Sequence, residues 1–213
     1  MSKPLSVILT SDLHGYLPEV QECDLLLIAG DICPDGSPQM QADWLDHKFR
    51  PWLRSSKAKE VVAVAGNHDW VFQTHPYLVP KLPWHYLQDQ EMEVLGVKIY
   101  GTPWQPVFFD WAFNLDEQDL ADKWKLIPSD TCILLLHGPP HGYGDRNISG
   151  EHTGSASLTR RIRQIRPQLV VCGHIHEARG EYNLNGIRII NVSQLNLRYE
   201  PIEELIQIDF KRK

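Results

Sequence analysis

The sequence predicts one α/β domain over residues 1–213, with a mixed parallel and antiparallel sheet system. Three observations carry that prediction. The length of 213 residues suits a single domain with a sizeable core. Five apolar runs are continuous rather than alternating, the pattern of strands covered on both faces. Stretches of helical pattern stand between some of those runs, and two other segments carry hairpin signals.

The elements follow in order. SVILT (6–10) is a strand leading into SDLHG, and DLLLIA (24–29) is a strand leading into GDICPDG. Residues 38–53 have a helical pattern, stopped or kinked near Pro51 because proline lacks the backbone N–H. VVAVA (61–65) leads into GNHDW. MEVLGVKIYGT (92–102) reads as a hairpin around its glycine. Residues 115–126 form a helix ended by Pro128, and TCILLL (131–136) is a strand leading into HGPPHG. Residues 155–166 form a helix that stops before Pro167, and LVVC (169–172) is a strand leading into GHIHE. EYNLNGIRIINVS (181–193) carries Asn185-Gly186, a strong turn signal. EELIQIDF (203–210) is the last strand, and the tail KRK is expected to be solvated.

Composition narrows the class. The chain is 42% hydrophobic and 23% charged, ordinary for a soluble globular protein. No apolar run approaches a membrane-spanning length, and the N-terminal segment does not read as a signal peptide. The cytoplasm is the expected compartment, with no membrane partner. A net charge of −6 argues against a nucleic-acid polymer as partner. The four cysteines include no C-x-x-C pair. Cys132 and Cys172 lie in apolar runs and read as buried thiols, whereas Cys33 is inert or reactive according to its exposure.

The strand ends carry the chemistry. Asp12-x-His14, Gly30-Asp31, Gly66-Asn67-His68-Asp69, His137-Gly138 and Gly173-His174-x-His176 each place metal-ligand side chains where a strand meets a loop. Such loops are where α/β folds build sites. Singly, each residue reads as a turn or cap residue; as an ordered set they read as a metal site. In an extended segment, residues i and i+2 face one side, so each D-x-H or H-x-H pair is expected to face one centre. The mixture of carboxylate, imidazole and amide suits Mn, Fe, Zn or Mg.

The ordered series SDLHG, GDI, GNHD, HGPP, GHIH, from residue 6 to about 193, resembles the calcineurin-like metallophosphoesterase superfamily. The middle of the chain is similar to the metallophosphoesterase-domain-containing, fetal-brain type branch. Some animal members of that branch lack one of the two final histidines, and this sequence keeps both. The resemblance implies a four-layer sandwich of two mixed β-sheets flanked by helices. It implies two divalent or mixed-valence metal ions, with Mn favoured. Asp12, His14, Asp31 and His176 would hold the first. Asp31, Asn67, His137 and His174 would hold the second, with Asp31 bridging. Asn67 and His68 would also face substrate, and His68 would protonate the leaving group. Asp69 would orient His68 or stabilise its loop. Arg146 reads as a substrate contact or a solvated loop residue, and His141 as a cleft or loop residue.

The implied activity is a phosphodiesterase working by attack of a metal-bridged hydroxide. Related Ser/Thr phosphatases continue the second motif as GDxxDRG, with an arginine on the phosphate. Here GDICPDG displaces the acid to Asp35 and lacks the arginine. A diester needs that arginine less than a monoester dianion. Small phosphodiesters, with cyclic nucleotides including 2′,3′-cyclic ones among them, are therefore the expected substrates. The competing readings are a phosphomonoesterase or protein phosphatase, and a non-catalytic interaction module on the same fold. The aromatic stretch 104–113 reads as core or flap, a base-stacking platform, or a dimer contact. Oligomeric state has no signal in the sequence.

Overall fold

The computed structural model describes residues 3–202 and 204–212. The N-terminal half builds β1 (Leu5–Thr10), β2 (Cys23–Ala29), α1 (Pro38–Trp44), α2 (Arg50–Ser55), β3 (Ala58–Val64), α3 (Trp70–Thr74) and β4 (His85–Tyr86). A hairpin of β5 (Gln90–Val94) and β6 (Val97–Thr102) follows, then the short pair β7 (Gln105–Pro106) and β8 (Asn114–Leu115). The rest is α4 (Glu117–Lys125), β9 (Ile133–Leu136), α5 (Ala156–Ile165), β10 (Leu169–Cys172), β11 (Gly180–Leu184), β12 (Ile187–Asn191) and β13 (Ile206–Phe210).

Two mixed sheets result. One has the order β13-β1-β2-β3-β4 and the other β11-β12-β10-β9-β6-β5. The period of the strand explains why the apolar runs are continuous. Leu25, Leu27 and Ala29 of β2 enter the core between the sheets, with Val7, Leu9, Val62, Ile133, Leu135 and Val171. Leu26 and Ile28 point the other way, onto Leu45, Phe49 and Leu53 of the helical segment. On the far side, Leu134, Leu136 and Val170 pack against Leu120 and Trp124 of α4 and Leu158 and Ile162 of α5. The layers are therefore helix, sheet, sheet, helix, as the family resemblance implied.

Local signals explain the boundaries. Ser37, Asp116 and Ser155 cap α1, α4 and α5 by accepting backbone N–H groups of the first turn. Both predicted hairpins close through residue pairs with positive φ, Leu95-Gly96 (52° and 74°) and Asn185-Gly186 (51° and 89°). The helix expected over 38–53 is divided. A π-turn over Leu45–Phe49 separates α1 from α2, with Arg50 N–H bonded to Leu45 C=O. Pro51 has no N–H to give in the first turn of α2, so the chain widens by one residue just before it.

Some expectations need correction. The last strand begins at Ile206, and Glu203, the first residue of the predicted run, lies outside the described residues, as does Lys213. Arg212 in the tail is half-buried and donates from Nη1 to Leu95 C=O at 3.1 Å rather than lying wholly in solvent. Cys132 is half-buried at the mouth of β9, while Cys172 is buried as expected. Cys33 is buried, and burial together with the charge of Asp69 pushes its thiol well above the ordinary value, which makes it inert. Among the described residues no helix is long and apolar enough to cross a membrane.

Candidate metal centre

Five loops converge at one edge of the sandwich. Asp12 and His14 follow β1, Asp31 follows β2, and Asn67, His68 and Asp69 follow β3. His137 follows β9, and His174 and His176 follow β10. The first three loops belong to one sheet and the last two to the other, so the centre draws on both.

The donor atoms form overlapping groups. Asp12, His14 and His176 make one, and Asp31, His137 and His174 another; within each, ligand atoms lie within 4.8 Å of one another. Asp31 also groups with His14 and His68, so its carboxylate stands between the two clusters. Individual separations are His176 Nε2 to Asp12 Oδ1 at 3.3 Å, His14 Nε2 to Asp31 Oδ2 at 3.7 Å and His137 Nε2 to Asp31 Oδ2 at 3.4 Å. Asn67 Oδ1 lies 2.8 Å from His137 Nε2.

The backbone reaches this geometry differently from the extended segments expected. Asp12, His14, Asp31 and His174 all have positive φ, at 53°, 42°, 50° and 69°. Left-handed residues of this kind cluster where a site over-determines the backbone. The two members of D-x-H meet the same centre because the loop coils, with Leu13 buried between them.

Backbone and hydroxyl groups aim the ligands. His137 Nδ1 donates to Ala29 C=O at 2.9 Å and His176 Nδ1 to Asn196 C=O at 3.2 Å. Each bond fixes the tautomer and turns Nε2 inward. Ser193 Oγ (2.8 Å), Ser11 Oγ and the His174 N–H hold Asp12. The His68 N–H donates to Asp31 Oδ1 at 2.8 Å, leaving Oδ2 toward the histidines.

This donor set fits cations. With Nδ1 of His137 committed to a carbonyl, Nε2 and Asn67 Oδ1 face each other as two acceptors unless a positive charge lies between. Without a metal, a proton serves. Burial opposes the charged ring, but the Asp31 carboxylate outweighs it and raises His137 to about 9. His176 likewise rises to about 9, its burial outweighed by the hydrogen bond and charge of Asp12. His174 stays neutral, lowered to about 3 by burial and by the charge of His137. Against their own burial, Asp12 and Asp31 are held below the ordinary carboxylate range by His176 and His137 respectively.

Two consequences are measurable. Filling the centre at pH 7 is expected to release roughly two protons, those on His137 and His176. Titration calorimetry with Mn²⁺ in buffers of different ionisation enthalpy reads the number, and a value near zero would refute the charge assignment. In the metal-free protein the two lowered carboxylates stabilise the fold above pH 3.8, and this is lost as pH falls. The two raised histidines stabilise it fully below 6.5, and this is lost as pH climbs through about 9. Stability should therefore peak between those limits, as denaturation midpoints across pH would show.

Other predicted residues take distinct places. Asp69 bonds backbone rather than the His68 ring: it accepts from Ile32 N–H (3.0 Å), Cys33 N–H (2.7 Å) and Gly66 N–H (2.8 Å). It ties the β2 and β3 loops together, and burial with the nearby Asp31 charge raises it to about 6. The partner of His68 is Asp35, whose Oδ1 lies 2.7 Å from Nδ1. The His68 ring also packs on Trp111 at 4.0 Å between centroids. Gln41 of α1 donates to His68 C=O at 2.7 Å. Arg146 is exposed and does not line the central cavity, although its neighbour Asn147 does. His141 is exposed and sits beside Asp145 and His152.

A cavity of about 500 Å³ opens over the centre. Asp31, Asn67, His68, His174 and His176 form its floor, and Pro106, Val107, Phe108, Ile175, Leu197 and Tyr199 form apolar walls. The aromatic stretch thus divides its roles. Ala112 and Phe113 are core, Phe108 is wall, and Trp111 backs His68. Tyr199 carried no signal in the sequence. It has a φ of 59°, and its ring meets the edges of His14 (4.7 Å) and His176 (5.8 Å).

Candidate metal-ligating side chains gathered by these loops at the edge of a four-layer sandwich are the pattern of a metallophosphoesterase. The chain belongs to the calcineurin-like phosphoesterase family, whose model matches residues 5–178. The family hydrolyses phosphate esters and typically holds two metal ions. The chain is 33% identical over 232 residues to metallophosphoesterase domain-containing protein 1 of Homo sapiens, across 95% of this chain and 70% of that protein. It is 27% identical over 158 residues to a probable cyclic nucleotide phosphodiesterase of a Synechococcus strain, across 73% of this chain and 58% of that one. In fold it is similar to TT1561 of Thermus thermophilus, with a TM-score of 0.54 and 14% identity, across 97% of this chain and 99% of that one.

Proposed function

We propose that the protein is a two-metal phosphodiesterase acting on small phosphodiesters that carry an apolar or aromatic group, cyclic nucleotides among them, with Mn²⁺ as the favoured ion. One observation carries the reading: among the described residues, the cavity lining holds no arginine or lysine. A monoester dianion gains most from such a cation, whereas a diester has one negative charge and a second organic arm for the apolar walls. The Synechococcus relative, by its name, agrees in substrate class.

Asp12, His14, Asp31, Asn67, His137, His174 and His176 would hold the ions. When bound, two divalent ions supply an activated water at neutral pH and positive charge for the phosphoryl oxygens. The chain does the rest. Asp31 sets the spacing of the two clusters. Asn67 Oδ1 and the inward Nε2 atoms would fix where the ions sit at the cavity floor. His68 has Nδ1 on Asp35, which leaves Nε2 to give a proton to the departing oxygen. Asp35 is largely exposed, so its contact with the His68 ring is screened by solvent.

The test compares bis(p-nitrophenyl) phosphate with p-nitrophenyl phosphate, with Mn²⁺ and after chelation, beside Asn67→Ala. Metal-dependent preference for the diester, lost in the variant, is the expected result. Preference for the monoester would assign a phosphatase, and no turnover by folded, metal-loaded protein would assign an interaction module. His68→Gln should cost about 10²-fold in kcat on an alkyl diester. It should cost much less on the p-nitrophenyl ester, whose leaving group departs without a proton. Equal losses on both substrates would contradict proton donation by His68.

A further inference from the structure

A second cluster of ligand-type side chains lies outside the cavity. The loop between β9 and α5 leaves His137, runs out through His141 and returns through His152 to the cap of α5. Asp145 sits at its centre and is fully buried. Its Oδ2 accepts the N–H groups of Gly142 and Gly154, both at 3.0 Å. Those bonds close the loop. They do not account for two imidazoles aimed at the same carboxylate. His152 Nδ1 lies 2.7 Å from Asp145 Oδ1, and His141 Nδ1 lies 3.8 Å from Oδ2. The two rings meet edge to face at 5.3 Å. All three ligand atoms fall within 4.8 Å of one another.

We propose that His141, Asp145 and His152 form a third metal site, separate from the cavity centre, that takes a borderline divalent cation, zinc foremost. Two imidazoles and one carboxylate are a zinc-type donor set, unlike the all-oxygen shells of calcium or magnesium. Tetrahedral bonds of about 2.0 Å separate neighbouring ligand atoms by about 3.3 Å. His152 Nδ1 lies 2.7 Å from Oδ1 and His141 Nδ1 lies 3.8 Å from Oδ2, so the two exposed rings would rotate to bring both nitrogens to that spacing about one oxygen. A carboxylate offers about four lone-pair positions. Oδ2 is filled by its two N–H donors, while Oδ1 meets only His152, so Oδ1 is the metal-facing oxygen. The fourth position faces solvent, because the His141 and His152 side chains are 45% and 35% exposed.

The site would cross-link the outgoing and returning limbs of a loop whose Asn147 and Thr153 line the cavity. A cation there braces one cavity wall from outside. This does not depend on the reaction proposed above.

The experiment is zinc binding by the full chain, read as metal per chain after equilibrium dialysis. It is run in wild type and in an Asp31→Asn/His174→Ala/His176→Ala background, which removes candidate ligands from both cavity clusters. The background protein is expected to keep one zinc per chain, with binding weakened at least about tenfold by His141→Ala. Cobalt substituted for that zinc should show the intense visible bands of a four-coordinate nitrogen–oxygen site, lost in the same variant. Equal zinc affinity with and without His141 would overturn the proposal, as would no bound zinc in a background protein shown to be folded. His141→Ala is the chosen variant because that ring packs at the surface, whereas His152 also holds Asp145. Hydrolysis in wild type and in His141→Ala is measured separately, so an inactive cavity centre does not bear on the result.

Discussion

Asp31→Asn is expected to lower metal-dependent phosphoester hydrolysis on the order of 10³-fold while leaving the fold intact. The substitution keeps volume and shape. The amide oxygen can still accept the His68 N–H that Asp31 Oδ1 holds at 2.8 Å. What changes is the other side of the group. Oδ2 faces both His14 and His137, at 3.7 and 3.4 Å, and it is the atom shared between the clusters. Its replacement by an NH₂ removes a negative charge and points two donors at the cations. Metal content per chain and kcat/KM decide the matter together. Full metal content with wild-type turnover would remove Asp31 from the centre; lost metal with a normal circular dichroism spectrum is the expected pair.

Gly66→Ala should disable the same centre from the opposite direction, by adding one carbon. Gly66 stands where the β3 loop crosses the Asp31 loop. A Cβ there would meet the Asp31 backbone N at 2.4 Å and His137 Cε1 at 2.7 Å, with Asp31 Oδ1 nearer still. No side chain in that group can retreat, since Asp31 and His137 are both buried. The loops must part, and overpacking of this kind costs about 1–3 kcal/mol of stability. The larger effect is on geometry, because the Asp69 bridge to Gly66 N–H and Cys33 N–H is strained too. Activity should fall about as far as in Asp31→Asn. Thermal denaturation separates the two variants: Gly66→Ala melts lower without metal, whereas the asparagine variant loses only electrostatic support. An alanine variant with wild-type melting and turnover would show that the loops have slack.

The positions that could be read from sequence share one property. Continuous apolar runs ended in Asp, Asn and His, and both halves of that signal are local. A strand apolar at every position must be covered on both faces, which fits the layered fold, but the sandwich of two sheets itself came from the family resemblance. The hairpin turns were equally local, as Asn185-Gly186 shows. Asp35 was different. Its displaced spacing concealed it as a partner for His68, and a hydrogen bond across 33 residues leaves no pattern. Gln41, Ser193 and Tyr199 support the centre from a helix and a C-terminal loop in the same way. Each is a polar or aromatic residue whose meaning lies in a distant neighbour. The coiled D-x-H loop was misread because spacing alone does not report φ. The π-turn before Pro51 was half legible: proline announces a break, but whether the chain kinks or widens depends on the packing of Leu45 and Phe49.

The candidate ligands come from both sheets, and this has a mechanical consequence. His14 and His176, 162 residues apart in sequence, would be fastened to one ion. Tying such distant points removes much of the freedom of the unfolded chain, as a long-loop disulfide does. The two sheets would then open together or not at all. Hydrogen exchange should show this as a change of cooperativity: with Mn²⁺, the slowest amides of β2 and β9 share one opening energy, and after chelation they separate. In that sense the ions would be rivets through the sandwich before they are reagents.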